Sequence, residues 1–293
     1  EPDEIFNLIE IQETFEEEQD YLIRHKWSEI GDLLFEKGIN EQAILCYRKS
    51  LSHFKSISVF SSIIKVYIEC NNLKKAKEIL DNALSIYPDS DELLSDYGNL
   101  YLVNTEINEQ RIDLAYYSYC SSLENNPFNY KAMIGMVRIA YKKYEFKLAL
   151  QKLDLIKKGY SLTKELEYLE VIILLELKKF AEAKKIINKI TNQDHYGYFL
   201  YMRLLWEQNK LLEFKKITDD ILEMHQIPEE GQVYYYLGLY YIKQNNFPLA
   251  LYNFSISEEK GFYHVKLFYN TGMAFLKIRR IGDAKNYLSK ALR

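Results

Sequence analysis

The chain has 293 residues, a formal net charge of −4 and a pI near 5.9, which excludes the concentrated basic surface needed to wrap nucleic acid. Eleven Gly and five Pro leave little punctuation for a strand-and-turn fold, so long helices joined by short turns are expected. Twenty-six Tyr residues and an aromatic share of 15% allow a large buried apolar area with polar hydroxyl tips, and exclude disorder.

Residues 1–23 read as one acidic helix with Ile5, Leu8, Ile9 and Phe15 as apolar contacts. They contain neither Lys nor Arg, although the chain carries 38 such residues. An acidic cap packed on the first helix pair is one reading; a docking strip for a basic partner is the other. The opening Glu1-Pro2 without Met fits a piece excised from a longer protein, whose anchor or signal would then be missing.

Residues 24–56 carry Trp27, Ile30, Gly31 and Leu34 at helical spacing, then Gly38, Ala43, Tyr47 and Ser50. From Ile57 to Asp89 the same order returns: Phe60, Ile63, Ile64 and Tyr67, then Asn71-Asn72, then Ala76, Leu80 and Ala83, then Pro88. Large residues at helical spacing bury one stripe, a small Ala admits the paired helix, and Pro ends the second helix. This order resembles the tetratricopeptide repeat, which runs W-x₂-L-G-x₂-Y, then A-x₃-F, then P over about 34 residues.

A third copy has Leu94, Tyr97, Gly98 and Tyr101, then Ala115, Tyr119, Ser122 and Pro127. Its halves are spread by an insertion near 104–111, which maps to a loop between the helices. Weaker copies run through Met133, Met136, Ala140, Ala149 and Leu153, and through Val171, Leu174, Ala183, Ile187 and Ile190. The unit near 195–230 is degenerate, with Phe214 where a small residue is expected and Thr218 where an aromatic is. Two regular copies close the chain: Leu237, Gly238, Tyr241, Ala250 and Phe254, then Phe268, Gly272, Phe275, Ala284 and Leu288.

The resemblance implies an all-α, right-handed α-solenoid of about eight stacked helix-turn-helix hairpins over 24–293, with the N-terminal helix as cap. It also implies a protein-interaction scaffold or adaptor within a multiprotein assembly. Two alternatives stand beside this: a peptide-sensing regulatory module, and the non-catalytic arm of a larger protein. Partners are expected to be protein or peptide and not nucleic acid, with self-association through uncapped ends as a further option.

No enzyme activity, cofactor or metal is expected. The glycine-rich phosphate and dinucleotide loops, HExxH, the EF-hand loop and the GxSxG elbow are all absent. His25, His53, His195, His225 and His264 are spread along the chain, without Cys or carboxylate at ligand spacing. Cys46, Cys70 and Cys120 are widely spaced and read as small core-filling residues. No run of about 18 apolar residues occurs, so no membrane insertion is expected. Cytoplasmic placement is favoured, with the periplasmic face of a membrane-associated assembly as the alternative if an anchor has been removed. High Ile, Lys, Asn and Tyr content suggests an A+T-rich, bacterial genome, where such arrays occur in flagellar assemblies among others.

In tetratricopeptide proteins the first helix of each hairpin lines the concave surface. The first three hairpins would present His25, Ser28, Glu29, Asp32, Ser58, Ser61, Lys65, Glu92, Ser95, Asp96 and Asn99 there, and the fourth Lys131 and Arg138. The set of Lys, Asn and Arg with which chaperone-binding members clamp a terminal carboxylate is absent from the first three hairpins. The Lys142-Lys143 pair and similar basic doublets read as solvated outer surface. In the C-terminal half the same register turns apolar: Tyr168, Ile172, Tyr196, Phe199, Arg203, Trp206, Tyr235, Tyr236, Leu239, Tyr269 and Met273. Such a patch must be covered, by its own packing or by a partner, and these residues form the candidate partner-binding site.

Overall fold

A computed structural model of the chain describes residues 17–103, 109–190, 195–227 and 229–292, with side chains from Lys26 onward. Among these residues there are sixteen helices and no strand. They pair as eight hairpins within two compact units, one ending at Tyr160 and the other beginning at Ser161.

The first unit holds α1 (Glu17–Glu36) with α2 (Asn40–His53), α3 (Ile57–Glu69) with α4 (Leu73–Ile86), α5 (Asp91–Leu102) with α6 (Glu109–Asn125), and α7 (Tyr130–Lys142) with α8 (Phe146–Gly159). The second holds α9 (Lys164–Glu176) with α10 (Phe180–Ile190), α11 (His195–Glu207) with α12 (Leu211–Leu222), α13 (Glu230–Lys243) with α14 (Phe247–Glu259), and α15 (Val265–Lys277) with α16 (Ile281–Ala291). Helix α1 runs unbroken across residue 23, so the first hairpin's leading helix already includes residues 17–23. Residues 1–16 of the expected acidic helix and residues 104–108 of the expected insertion lie outside the described residues.

In seven of the eight hairpins the turn is set by one left-handed residue, Gly38, Asn71, Tyr144, Lys178, Asn209, Asn245 or Arg279, each with positive φ. The next residue's N–H then bonds back over five positions, as from Asn72 to Tyr67, Glu145 to Ala140 and Lys179 to Leu174. This satisfies carbonyls left open at a helix end. After Asn71 and Asn245, a second Asn caps the following helix: Asn72 accepts from the Lys75 N–H and Asn246 from the Leu249 N–H. At Lys178, φ is +57°, a conformation that costs a side-chain-bearing residue roughly 1 kcal/mol. Lys178→Gly is therefore expected to raise stability by roughly 0.5 kcal/mol and Gly38→Ala to lower it by about 1 kcal/mol. Urea midpoints of the two variants check this, and equal shifts of one sign would contradict it.

The small residues Ala43, Ala76, Ala115, Ala149, Ala183, Ala250 and Ala284 are all fully buried, where the two helices of a hairpin come together. A second register explains how the hairpins differ. A buried residue on each first helix is followed, sixteen positions later on the second helix, by a residue of complementary size. Glycine precedes a large side chain in Gly31/Tyr47, Gly238/Phe254 and Gly272/Leu288; branched residues precede medium ones in Ile64/Leu80, Val137/Leu153 and Val171/Ile187. In Gly98/Tyr119 the spacing is lengthened by the insertion. An added Cβ at Gly31 would lie 2.6 Å from the Tyr47 ring, and one at Gly272 2.7 Å from Leu288.

The degenerate hairpin obeys the same rule inverted. Met202 stands in the glycine register and Thr218 in the aromatic one, both fully buried. The Thr218 hydroxyl is consumed by donating to the Phe214 carbonyl at 2.7 Å. Phe214, in the small-residue register, is buried against Trp206 and Tyr240. Volume has moved from one position to its neighbours, and the helix pair is kept.

Of the three cysteines, Cys46 is buried, Cys120 partly so, and Cys70 exposed. Core filling therefore describes Cys46, whose thiol burial pushes up to about 11 against the pull of Lys49. It does not describe Cys70, which sits at the C-terminus of α3. Asn253, which opens an Asn-Phe-Ser triplet of the N-glycosylation type, is buried and donates to the Leu249 carbonyl.

Candidate partner-binding surfaces

In the second unit the aromatic register closes on itself. Tyr168 packs at a tilt on Tyr196 with centroids 4.6 Å apart, and Tyr196 on Phe199 at 5.5 Å. Trp206 lies 5.2 Å from Phe214 and 5.8 Å, edge-on, from Tyr236. The Lys243 ammonium sits 4.3 Å over the Trp206 ring while donating to Asn209 Oδ1 at 2.7 Å. Arg203 reaches the Glu176 carboxylate at 3.4 Å. Each ring thus finds its partner in its own or the adjacent hairpin, at the tilted and edge-on geometries aromatic pairs prefer.

Phe199 and Tyr235 are interior residues, 1% and 7% exposed, and a partner does not reach them. Tyr235 packs on Phe262 at 5.2 Å and accepts from Asn270 at 3.0 Å. Its burial, aided by Tyr236, pushes the phenol up to about 12, with Asn270 working the other way. Tyr168, Ile172, Tyr196, Arg203, Trp206, Tyr236, Leu239 and Met273 are partly buried. Tyr269 is 52% exposed and continues into Leu276, also exposed, on the same helix.

The first unit differs. Its leading helices α3, α5 and α7 enclose an open groove of about 700 Å³. Residues three, four or seven apart share a helix face, so Ser58, Ser61 and Lys65, then Glu92, Asp96 and Asn99, come to line it. Asp96 is the hub of the floor: it accepts from the Ser61 hydroxyl at 2.6 Å and from Lys131 at 3.2 Å. Lys131 also reaches Glu92 at 3.2 Å, so one cation holds two carboxylates. Burial raises the Asp96 carboxyl above the ordinary aspartate value, against the pull of Lys131 and Ser61. Burial alone would lower Lys131, but Asp96 and Glu92 hold its ammonium above the ordinary lysine value.

Not every expected residue reaches this groove. Ser95 is fully buried and turns its hydroxyl to the Glu92 carbonyl, and Asp32 is taken by the Tyr47 hydroxyl at 2.7 Å. The side chain of His25 lies outside the described ones. The basic doublet at the end of α7 divides: Lys143 pairs with Asp113 at 3.0 Å, while Lys142 lines the groove with Arg138. Sequence reading placed Lys142 on the outer surface, although its position four residues after Arg138 puts both on one helix face.

Among the described residues no group of three His, Cys, Asp or Glu side chains could hold a metal ion. No described helix is long and apolar enough to cross a membrane.

Residues 65–90 match the family model of the tetratricopeptide repeat, covering the end of α3 and all of α4. No curated protein sequence matches the chain. Among solved structures, a tetratricopeptide repeat protein from Parabacteroides merdae superposes with a TM-score of 0.60 at 16% identity, covering 92% of this chain and 99% of that one. The APC/C hetero-tetramer Cut9-Hcn1 gives a TM-score of 0.67 at 14% identity, covering 89% of this chain and 51% of that one. A human IFIT1 dimer with PPP-AAAA gives 0.57 at 16% identity, covering 99% and 71%. At such identities the likeness speaks for the fold, an array of tetratricopeptide-type hairpins.

Proposed function

We propose that this chain, a tetratricopeptide-repeat protein, serves as a scaffold or adaptor that holds a segment of a partner protein in the groove of its first unit. Helical-repeat proteins use stacked hairpins as extended binding surfaces. The observation that carries the choice of surface is the contrast between the units. The register that opens into a groove of about 700 Å³ in the first is filled in the second by rings packed against rings. The groove is of ligand-pocket size and presents polar groups that orient what it holds.

A second contact is favoured by α15, where Val265, Tyr269 and Leu276 leave an exposed apolar stripe. This retains the C-terminal half as an accessory surface, reduced to Tyr269, Met273 and their neighbours. A regulatory module that senses a short peptide would use the same groove.

A photo-crosslinking amino acid placed at Ser58, at Tyr269 and at Tyr117, which is 67% exposed, tests the assignment in the native organism. Adducts specific to position 58 are expected. Adducts confined to 269 would move the site to the second unit, and equal adducts at all three would remove it from both.

A further inference from the structure

We infer that the segment held in the first unit's groove carries an acidic side chain, clasped between Arg138 and Lys142 at the C-terminal end of α7. The inference rests on the groove being a binding surface, as proposed above, and adds the chemistry of its occupant.

The charges of the groove are unevenly settled. On its floor Lys131 is matched to Glu92 and Asp96. One turn of α7 separates Arg138 from Lys142, both exposed toward the opening, and neither is paired with a carboxylate among the described residues. Like charges four residues apart on a helix repel. Burial, and then Arg138, hold the Lys142 ammonium below the ordinary lysine value. An anion placed between the two relieves both effects and forms charge-assisted hydrogen bonds.

Neighbouring groups fit an extended peptide. Asn99 already accepts the Tyr119 hydroxyl at its Oδ1, at 2.8 Å, so its amide N–H remains to donate to a peptide carbonyl. Glu69 and Glu92 line the same groove and repel a continuous phosphate backbone, which needs several cations in a row. A peptide with an isolated carboxylate meets the cations without crossing the carboxylates.

Titration of the purified chain with rhodamine-labelled Ala-Ser hexapeptides carrying one central Glu or one central Lys, and with single-stranded oligoadenylate, tests this by anisotropy. The Glu peptide should bind best, and Arg138→Ala with Lys142→Ala should weaken it about tenfold or more. Lys143→Ala, which removes the neighbouring cation paired on the other side of the helix, should change it less than about twofold. Thermal melts establish that the variants are folded. Unchanged affinity of the Glu peptide in the double variant, or tighter binding of oligoadenylate or the Lys peptide, overturns the inference. Crosslinking at Ser58 separates the two levels: an adduct that persists undiminished in the double variant keeps the groove as a binding surface and removes the acidic occupant.

Discussion

Replacing Gly98 with Ala is expected to destabilise the first unit by about 2 kcal/mol, within the range for overpacking a filled core. Helix propensity pulls the other way, since Ala is favoured over Gly by about 1 kcal/mol inside a helix. The sign of the measured change therefore decides whether packing rules. Tyr119 is fully buried, and a Cβ added at Gly98, or at Gly135 in the next hairpin, would run into its ring. The ring has little room to retreat, because its hydroxyl is held by Asn99 at 2.8 Å. In the fourth hairpin the same register is filled by Val137 and Leu153, both fully buried. Gly98→Val with Tyr119→Leu should accordingly recover part of what Gly98→Val alone loses. A double-mutant cycle from urea unfolding reads the coupling; additive losses would show that the two positions do not share one volume.

Trp206→Ala is expected to cost the second unit about 3 kcal/mol, the order found for deleting large aromatics from packed sites. The ring contacts Phe214 and Tyr236 and lies under the Lys243 ammonium at 4.3 Å, so its loss opens a void and removes the cation–π contact. Lys243→Ala should cost about 1 kcal/mol, the size of a partly exposed cation–π contact. Thermal and urea unfolding check both. A Trp206→Ala variant as stable as the parent would return this residue to the role of an uncommitted partner contact.

The helix pairs, their turns and the buried alanines were legible because they depend on local spacing: Ala43, Ala76 and Ala115 repeat with the period of the hairpin. The degenerate hairpin was located at Phe214 and Thr218, yet its resolution was not, because Met202 gains meaning only when set against the residue it faces. The binding surface was harder still. A row such as Tyr235, Tyr236 and Leu239 has the same spacing whether it meets solvent or neighbouring rings, and only burial, 7% exposure at Tyr235, tells them apart. The groove's lining was largely readable from Ser58 to Arg138. Lys142 was hidden because a basic doublet at a helix end suggests solvent, and its partnerless state emerges only after Lys143 is seen to hold Asp113.

The size-matched positions of each hairpin bear on how such a chain changes with time. A substitution at Gly31, Met202 or Gly238 needs its answer sixteen residues downstream, on the same helix pair, and seldom elsewhere. Each hairpin is thereby a nearly closed compartment for compensating mutations, able to exchange one solution for another without consulting its neighbours. Tyr119 is the exception, since its ring is confined by glycines of two hairpins. Sequence can drift quickly in most repeats and should be slowest where one side chain answers to two of them.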